Sequence, residues 1–315
     1  MLRVLFAGTP NFAVPTLDAL LHDSNICVEY ALTQPDRRSG RGQHLSESAV
    51  KKYALQAGIP VRQPKTLKDP NEIQWIKEKK FDAMIVVAYG QILATEILES
   101  PRLGCLNVHA SLLPRWRGAA PLQRCIEAGD SVTGVTIMLM DKGLDTGPML
   151  AKVSTTITDR TTATELHDHL SKLGAPLLVE TLKQLADSKH RLVQQPAQGI
   201  TYAQKVSTQH ACIQWSQERS RVMRQIHAFN PIPGAFTFAG SSRIKIFSVQ
   251  RAQGSAPAAG LLWKENQKIL ISTNTGNLEV LECQLPGGNR LVSEQISTHQ
   301  SAPWLEPTKL TEQPA

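Results

Sequence analysis

The run Gly104-Cys105-Leu106-Asn107-Val108-His109-Ala110-Ser111-Leu112-Leu113-Pro114, followed by Arg115-Trp116-Arg117-Gly118, constrains this chain more than any other stretch. Its first half has the length and apolar character of a buried strand. Side chains alternate along a strand, so Asn107 and His109 project from the same face. Pro114 cannot donate to a central ladder and Gly118 loosens the next turn, so the strand ends near Ser111 and opens into a loop. That carboxyl end is where open parallel sheets place their sites.

A second apolar, β-branched run, Val135-Thr136-Ile137-Met138-Leu139-Met140, ends in Asp141-Lys142-Gly143-Leu144-Asp145-Thr146-Gly147, a turn with two carboxylates. If the two strands are neighbours, Asp145 reaches His109. An amide, an imidazole and a carboxylate in one cleft suit attack on a carbonyl carbon. Asn107 donates to the developing oxyanion, His109 shares that role or moves protons, and Asp145 orients the imidazole. None of the three is a strong nucleophile, which favours direct transfer to an incoming amine or hydroxyl over a covalent enzyme intermediate.

Asn107-Val108-His109-Ala110-Ser111-Leu112-Leu113-Pro114 with the Leu144-Asp145-Thr146-Gly147 turn resembles the signature of the 10-formyltetrahydrofolate-dependent formyltransferases. Phe6-Ala7-Gly8-Thr9-Pro10, Thr33-Gln34-Pro35-Asp36 and Phe229-Asn230-Pro231 are similar to members of that superfamily that formylate methionyl initiator tRNA, over nearly the whole chain. The resemblance implies catalytic roles for Asn107, His109 and Asp145. It implies a folate pocket formed by Ser111, Leu112, Leu113 and Pro114 together with Tyr89 and Gly90. It also implies 10-formyltetrahydrofolate as co-substrate, methionyl initiator tRNA as the macromolecular partner, and contacts to that RNA from Arg37, Arg38 and Arg41.

The fold reads as α/β: a Rossmann-like, doubly wound, mostly parallel sheet over residues 1–190, a linker at 191–207 and a smaller β domain over 208–315. Arg3 to Ala7 forms the first strand, and Gly8-Thr9-Pro10 turns into a helix carrying Phe12, Val14, Leu17, Leu20 and Leu21. The turn has one glycine, so it lacks the Gly-x-Gly-x-x-Gly of a dinucleotide site. Val28 to Thr33 and Phe81 to Ala88 are further strands. Ile85-Val86-Val87-Ala88 is apolar on both faces, as a covered central strand requires. Composition alone makes Tyr89 and its neighbours core. Between them, residues 34 to 48 read as a basic, glycine-rich loop around Arg37-Arg38-Ser39-Gly40-Arg41-Gly42.

Gln194-Gln195-Pro196-Ala197-Gln198-Gly199 is polar and rich in breakers, which places the domain boundary there. Trp215 to Phe229 reads as one helix, stopped by Pro231-Ile232-Pro233-Gly234. Short alternating runs follow, at Ala235 to Phe238, Ile244 to Val249, Gly260 to Trp263, Lys268 to Ser272 and Asn277 to Gln284, and they predict a small β domain. The resemblance makes it an OB-like barrel that binds tRNA. From about Pro303 no element is expected.

With 34 Lys and Arg against 27 Asp and Glu, the net charge of +7 suits an acidic partner such as nucleic acid. The five cysteines are far apart with no Cys-x-x-Cys pair, and His167 and His169 on a helix point to different faces, so no metal is expected to be needed for the chemistry. No apolar run suits a signal peptide or a membrane span, so a cytoplasmic protein is expected. Two other enzyme readings share Asn107, His109 and Asp145: formyl transfer to a small amine and hydrolysis of the formyl donor. A Ser111–His109–Asp145 hydrolase would lack the Gly-x-Ser-x-Gly elbow. A non-catalytic RNA-binding module would have no use for the intact trio.

Overall fold

The computed structural model describes residues 1–39, 44–254, 258–299 and 303–314. Arg41 lies outside the described residues. The chain divides into two compact units, the first of residues 1–118, 133–155 and 167–202, the second of 119–132, 156–166 and 203–315.

In chain order the elements are β1 (Leu2–Gly8), α1 (Val14–Leu21), β2 (Ile26–Leu32), β3 (Arg37–Ser39), β4 (His44–Ser46), α2 (Ala49–Gln56), β5 (Val61–Arg62), α3 (Pro70–Lys79), β6 (Ala83–Val87), α4 (Thr95–Leu98), β7 (Cys105–His109), β8 (Arg117–Gly118), α5 (Pro121–Ala128), β9 (Val132–Leu139), β10 (Met149–Thr156), α6 (Ala163–Ala186) and β11 (Tyr202–Ala203). Seven of the strands form one sheet in the order β10-β9-β7-β6-β1-β2-β5. The pairs β5–β2, β2–β1, β1–β6 and β6–β7 are parallel, and β9 runs antiparallel to β7. The strand order reverses between β1 and β6, which is the position where a doubly wound sheet opens a crevice. Every residue of β6 is buried, as its apolar sequence requires of a strand covered on both faces. Leu5, Leu32, Met84, Val86 and Tyr89 belong to one buried cluster with Phe81 and Cys105, and burial pushes the Cys105 thiol up to about 12.

Several expectations are corrected. Residues 34 to 48 are not all loop, because β3 and β4 pair antiparallel, Arg37 with Ser46 and Arg38 with Leu45. Helix α3 went unassigned, although its start carries a local signal: Asp69 caps by accepting from the Asn71 amide at 2.9 Å, and Pro70 occupies the first turn.

The second unit contains α5, α7 (Arg219–Ala228), β12 (Ala235–Ala239), β13 (Ser242–Ala252), β14 (Leu261–Glu265), β15 (Lys268–Thr273), β16 (Gly276–Gln284), β17 (Arg290–Val292), α8 (Ser293–Thr298) and β18 (Thr308–Thr311). Strands β13-β12-β18-β14-β15-β16 pair in that order, and β16 pairs again with β13, closing an antiparallel six-stranded barrel. Its interior is apolar, lined by Ile244, Ile246, Leu262, Ile271, Val280 and Trp304. Helix α7 begins at Arg219 rather than Trp215, because Trp215 is buried with Nε1 donating to Thr237 at 3.0 Å and the Arg219 amide donates to Thr275 at 2.9 Å. The tail beyond Pro303 also differs from expectation, since β18 supplies the strand between β12 and β14.

Buried His227 on α7 is held at both ring nitrogens. Its Nδ1 lies 3.0 Å from the Asp159 carbonyl, and its Nε2 lies 3.1 Å from the Val249 carbonyl and 3.3 Å from the Val249 amide. Burial pulls its pKa below the ordinary value of 6.5. The unfolded chain therefore takes up this proton more readily than the folded one, so the stability His227 contributes is present above pH 6.5 and is lost as pH falls through the depressed folded value. The expected outcome is that denaturation midpoints fall between pH 7.5 and pH 5, with a shallower fall in His227→Gln, measured by urea titration at each pH.

Candidate active site

Strand β7 carries Asn107 and His109 to the carboxyl edge of the parallel sheet. The antiparallel partner β9, with Asn107 opposite Met138 and His109 opposite Thr136, leads directly into the 141–147 turn. Asp141 shapes that turn by accepting from the Gly143 amide at 3.0 Å and from the Thr146 hydroxyl at 2.6 Å. Gly147 is required there, because a Cβ would lie 1.9 Å from the Leu139 carbonyl oxygen. Asp145 itself adopts the left-handed conformation, with φ of 53°.

The three side chains meet. Asn107 Nδ2 is 3.5 Å from Asp145 Oδ1, and His109 Nδ1 is 3.8 Å from Asp145 Oδ2. The Gly118 amide donates to the same Oδ2 at 2.7 Å. His109 Nε2 is 2.9 Å from the Trp116 carbonyl, which can only accept, so Nε2 bears a proton. In the neutral ring the lone pair therefore sits on Nδ1, on the side of Asp145. Asn107 is half-buried while His109 is buried. The arrangement holds an amide donor, an exchangeable imidazole nitrogen and a fixed carboxylate in one place, which is the equipment for stabilising an oxyanion and moving a proton.

The structure separates the remaining expected residues. Tyr89 is buried in the core and offers the cleft its backbone, with its carbonyl accepting from Thr9 Oγ1 at 3.0 Å and from Gln34 at 3.2 Å. Gly90 is exposed, with a φ of 82°, and its carbonyl accepts from Gln34 Nε2 at 2.9 Å. Ser111 is fully buried and its hydroxyl donates to the Arg115 carbonyl at 2.6 Å, so it is no nucleophile. Leu113 packs under the loop against Met138 and Met149. Leu112 and Pro114, with a cis Leu113-Pro114 bond, are half-buried or at the loop. Arg37 and Arg38 are exposed on β3, and Arg37 donates to Gln34 at 2.6 Å.

Other residues around Asp145 escape periodicity. Gln195 Nε2 donates to the carbonyls of Asp145 and Gly147, both at 2.8 Å, and its Oε1 accepts from Arg117. The Trp116 amide donates to Thr201 Oγ1 at 2.9 Å. These residues lie in a stretch read as linker, and a polar, breaker-rich composition carries no signal that one glutamine is anchored. Among the described residues no group of three His, Cys, Asp or Glu could hold a metal ion, and no helix is long and apolar enough to cross a membrane.

Two family descriptions match the chain: "Formyl transferase" over residues 2–182, and "Formyl transferase, C-terminal domain" over residues 205–300. A methionyl-tRNA formyltransferase of Burkholderia multivorans is 44% identical over 306 residues, covering 94% of this chain and 93% of the relative. A methionyl-tRNA formyltransferase of Coxiella burnetii is 47% identical over 288 residues, covering 91% of each. Among solved structures, the fold is shared by a Helicobacter canadensis N-formyltransferase in complex with folinic acid and dTDP-3-aminofucose. That likeness has TM-score 0.64 and 18% identity, over 89% of this chain and 99% of the other.

The close approach at Gly147 gives a direct structural prediction. Gly147→Ala forces the turn away from β9 and is expected to cost about 1–3 kcal/mol by overpacking, measured by urea denaturation against the unaltered chain.

Proposed function

The chain belongs to the formyltransferase family, and from that premise we propose that it transfers the formyl group of 10-formyltetrahydrofolate to the α-amino group of methionyl initiator tRNA. The carrying observation is the convergence of Asn107, His109 and Asp145 at the carboxyl edge of the sheet, in a chain 44% identical to methionyl-tRNA formyltransferase over 306 residues. A cytoplasmic location, where charged tRNA is made and used, fits this reading.

The residues at the crevice suit the folate. Ile92, 75% exposed after β6, and Leu144, 62% exposed after β9, present apolar surface, and the Asn107 amide adds a polar group. In the reaction one bond forms between the amino nitrogen and the formyl carbon, one breaks between that carbon and N10 of the folate, and a proton leaves the amine as another reaches N10. Asn107 donates its Nδ2 hydrogen to the formyl oxygen as charge develops there. His109 exchanges its proton at Nδ1, because Nε2 is committed to the Trp116 carbonyl. Asp145, fixed by the Gly118 amide, supplies the negative charge against which a proton on Nδ1 is held.

Residues 1–190 carry the chemistry in this reading, and residues 208–315, with exposed Arg37 and Arg38 and with Arg41, carry tRNA recognition. Basic residues contact phosphates, so binding depends on salt.

The direct test is to incubate the protein with 10-formyltetrahydrofolate and charged initiator tRNA and to look for formylmethionine, whose absence would sink the proposal. Asn107→Ala and Asp145→Ala are each expected to lower kcat on the order of a hundred- to a thousandfold while circular dichroism stays unchanged. Arg41→Ala is expected to weaken tRNA binding, to flatten the log-log salt slope by about one unit and to spare folate binding, measured by titration across a salt series.

A further inference from the structure

We infer that the stretch 193–202 is a positioning strap of the catalytic centre: Gln195 sets the peptide of Asp145, and Thr201 sets the peptide whose carbonyl fixes the tautomer of His109. This rests on the catalytic reading of Asp145 and His109 given above.

The strap is anchored at one end by Val193, which exchanges both backbone hydrogen bonds with Met149, at 2.9 and 2.8 Å. At the other end the Thr201 carbonyl accepts from the Arg117 amide at 2.9 Å and its hydroxyl accepts from the Trp116 amide at 2.9 Å. Every residue from 191 to 200 is exposed apart from Gln195, which is half-buried. Hydrophobic burial therefore does not hold this segment, and its polar contacts do.

The orientation of the Gln195 amide is unambiguous. Arg117 is buried at 6% exposure and directs both Nε, at 3.0 Å, and Nη2, at 2.7 Å, at Oε1. A guanidinium only donates, so Oε1 is the acceptor and Nε2 the donor. Nε2 then uses its two hydrogens on the Asp145 and Gly147 carbonyls, both at 2.8 Å. The side chain thus closes a clamp across the turn that presents the carboxylate, on either side of Thr146.

The second arm runs through Trp116, whose φ of 64° puts it in the left-handed region. Its carbonyl accepts from His109 Nε2 and shares a peptide group with the Arg117 amide, which the Thr201 carbonyl holds, while the Thr201 hydroxyl holds the Trp116 amide of the preceding peptide. Thr201 thus fixes both peptides that flank Trp116, and with them the carbonyl that orients the imidazole. Neither Gln195 nor Thr201 touches the reacting atoms. Both act through a residue that does.

The test uses the full-length chain with Gln195→Ala, Gln195→Glu, Thr201→Val, Thr201→Ser, Asp145→Asn and the double variant Gln195→Ala with Asp145→Asn. Each is assayed for kcat, for KM toward 10-formyltetrahydrofolate and toward charged initiator tRNA, and for Tm. Gln195→Ala is expected to lower kcat about ten- to a hundredfold, because misplacing a reacting group by ~1 Å costs that much, with both KM values held within about threefold. Gln195→Glu keeps the Arg117 contact but sets a carboxylate against two carbonyls, and is expected to be no better than alanine. Thr201→Val is expected to lower kcat and Thr201→Ser to restore it. In the Asp145→Asn background the loss on adding Gln195→Ala is expected to shrink to within about twofold, since residues that act as one unit are not additive.

Wild-type kcat in Gln195→Ala, with Asp145→Asn impaired, overturns the strap and leaves the catalytic reading standing. Losses that multiply in the double variant also overturn it, as does parallel collapse of Tm and both KM values in the Gln195 and Thr201 single variants, which would make the segment a fold element alone. Wild-type kcat in Asp145→Asn removes the catalytic reading and the strap with it.

Discussion

The antiparallel pairing of β7 with β9 is the constraint on which the centre depends. It sets His109 opposite Thr136 and Leu106 opposite Leu139, so the 141–147 turn leaves β9 beside the start of β7 and folds back toward Asn107 and His109. Thr136, fully buried, then ties the two elements together a second time. Its hydroxyl donates to the Ser111 carbonyl at 2.7 Å and accepts from the Leu113 amide at 3.1 Å. The turn that follows β9 carries Asp145 back along β7, and its carboxylate arrives within 3.8 Å of the imidazole.

The meeting of Asn107, His109 and Asp145 was legible because each of them follows from a period or a stop signal. Asn107 and His109 are two apart on a strand, Asp145 sits in a turn rich in glycine, and both strands are apolar runs of ordinary length. The parallel sheet was legible for the same reason, with β6 buried at every position as its composition demands. Less legible was where the backbone turns after a strand. The loops after β6 and β7 bury the side chains of Ser111, Leu113 and Tyr89, the last as its composition implied. Gln195 and Thr201 were illegible because their partners lie 50 and 85 residues away and no composition marks them. Strand β18 was hidden for a like cause, since it completes a barrel between strands begun about 50 to 70 residues earlier.

The second unit solves a different problem. Six antiparallel strands closed by the β13–β16 ladder leave no bare edge between them, so the barrel does not need a neighbour to satisfy its backbone. Its interior is apolar, and two large polar rings buried in this unit have partners: the Trp215 indole with Thr237, and the ring of His227 with Asp159 and Val249.

Strain explains why the loops around His109 and Asp145 need so many polar contacts. Ala88, Trp116 and Asp145 all take left-handed backbone angles, with φ of 46°, 64° and 53°, and all three lie in loops that follow strands of this unit. A residue with a Cβ costs about 1–3 kcal/mol in such a conformation, while a protein hydrogen bond returns roughly 0.5–1.5 kcal/mol net. One bond per residue would therefore leave the loops free to relax. Asp145 receives one at its carboxylate from Gly118 and one at its carbonyl from Gln195. Trp116 is held at its amide by Thr201 and at its carbonyl by His109. The peptide that follows Tyr89, the next along from Ala88, is held through its carbonyl by Thr9 and Gln34. The strained turns and the contacts that hold them are thus matched in number and in energy, and the orientation of His109 and Asp145 is a property of that balance rather than of either strand alone.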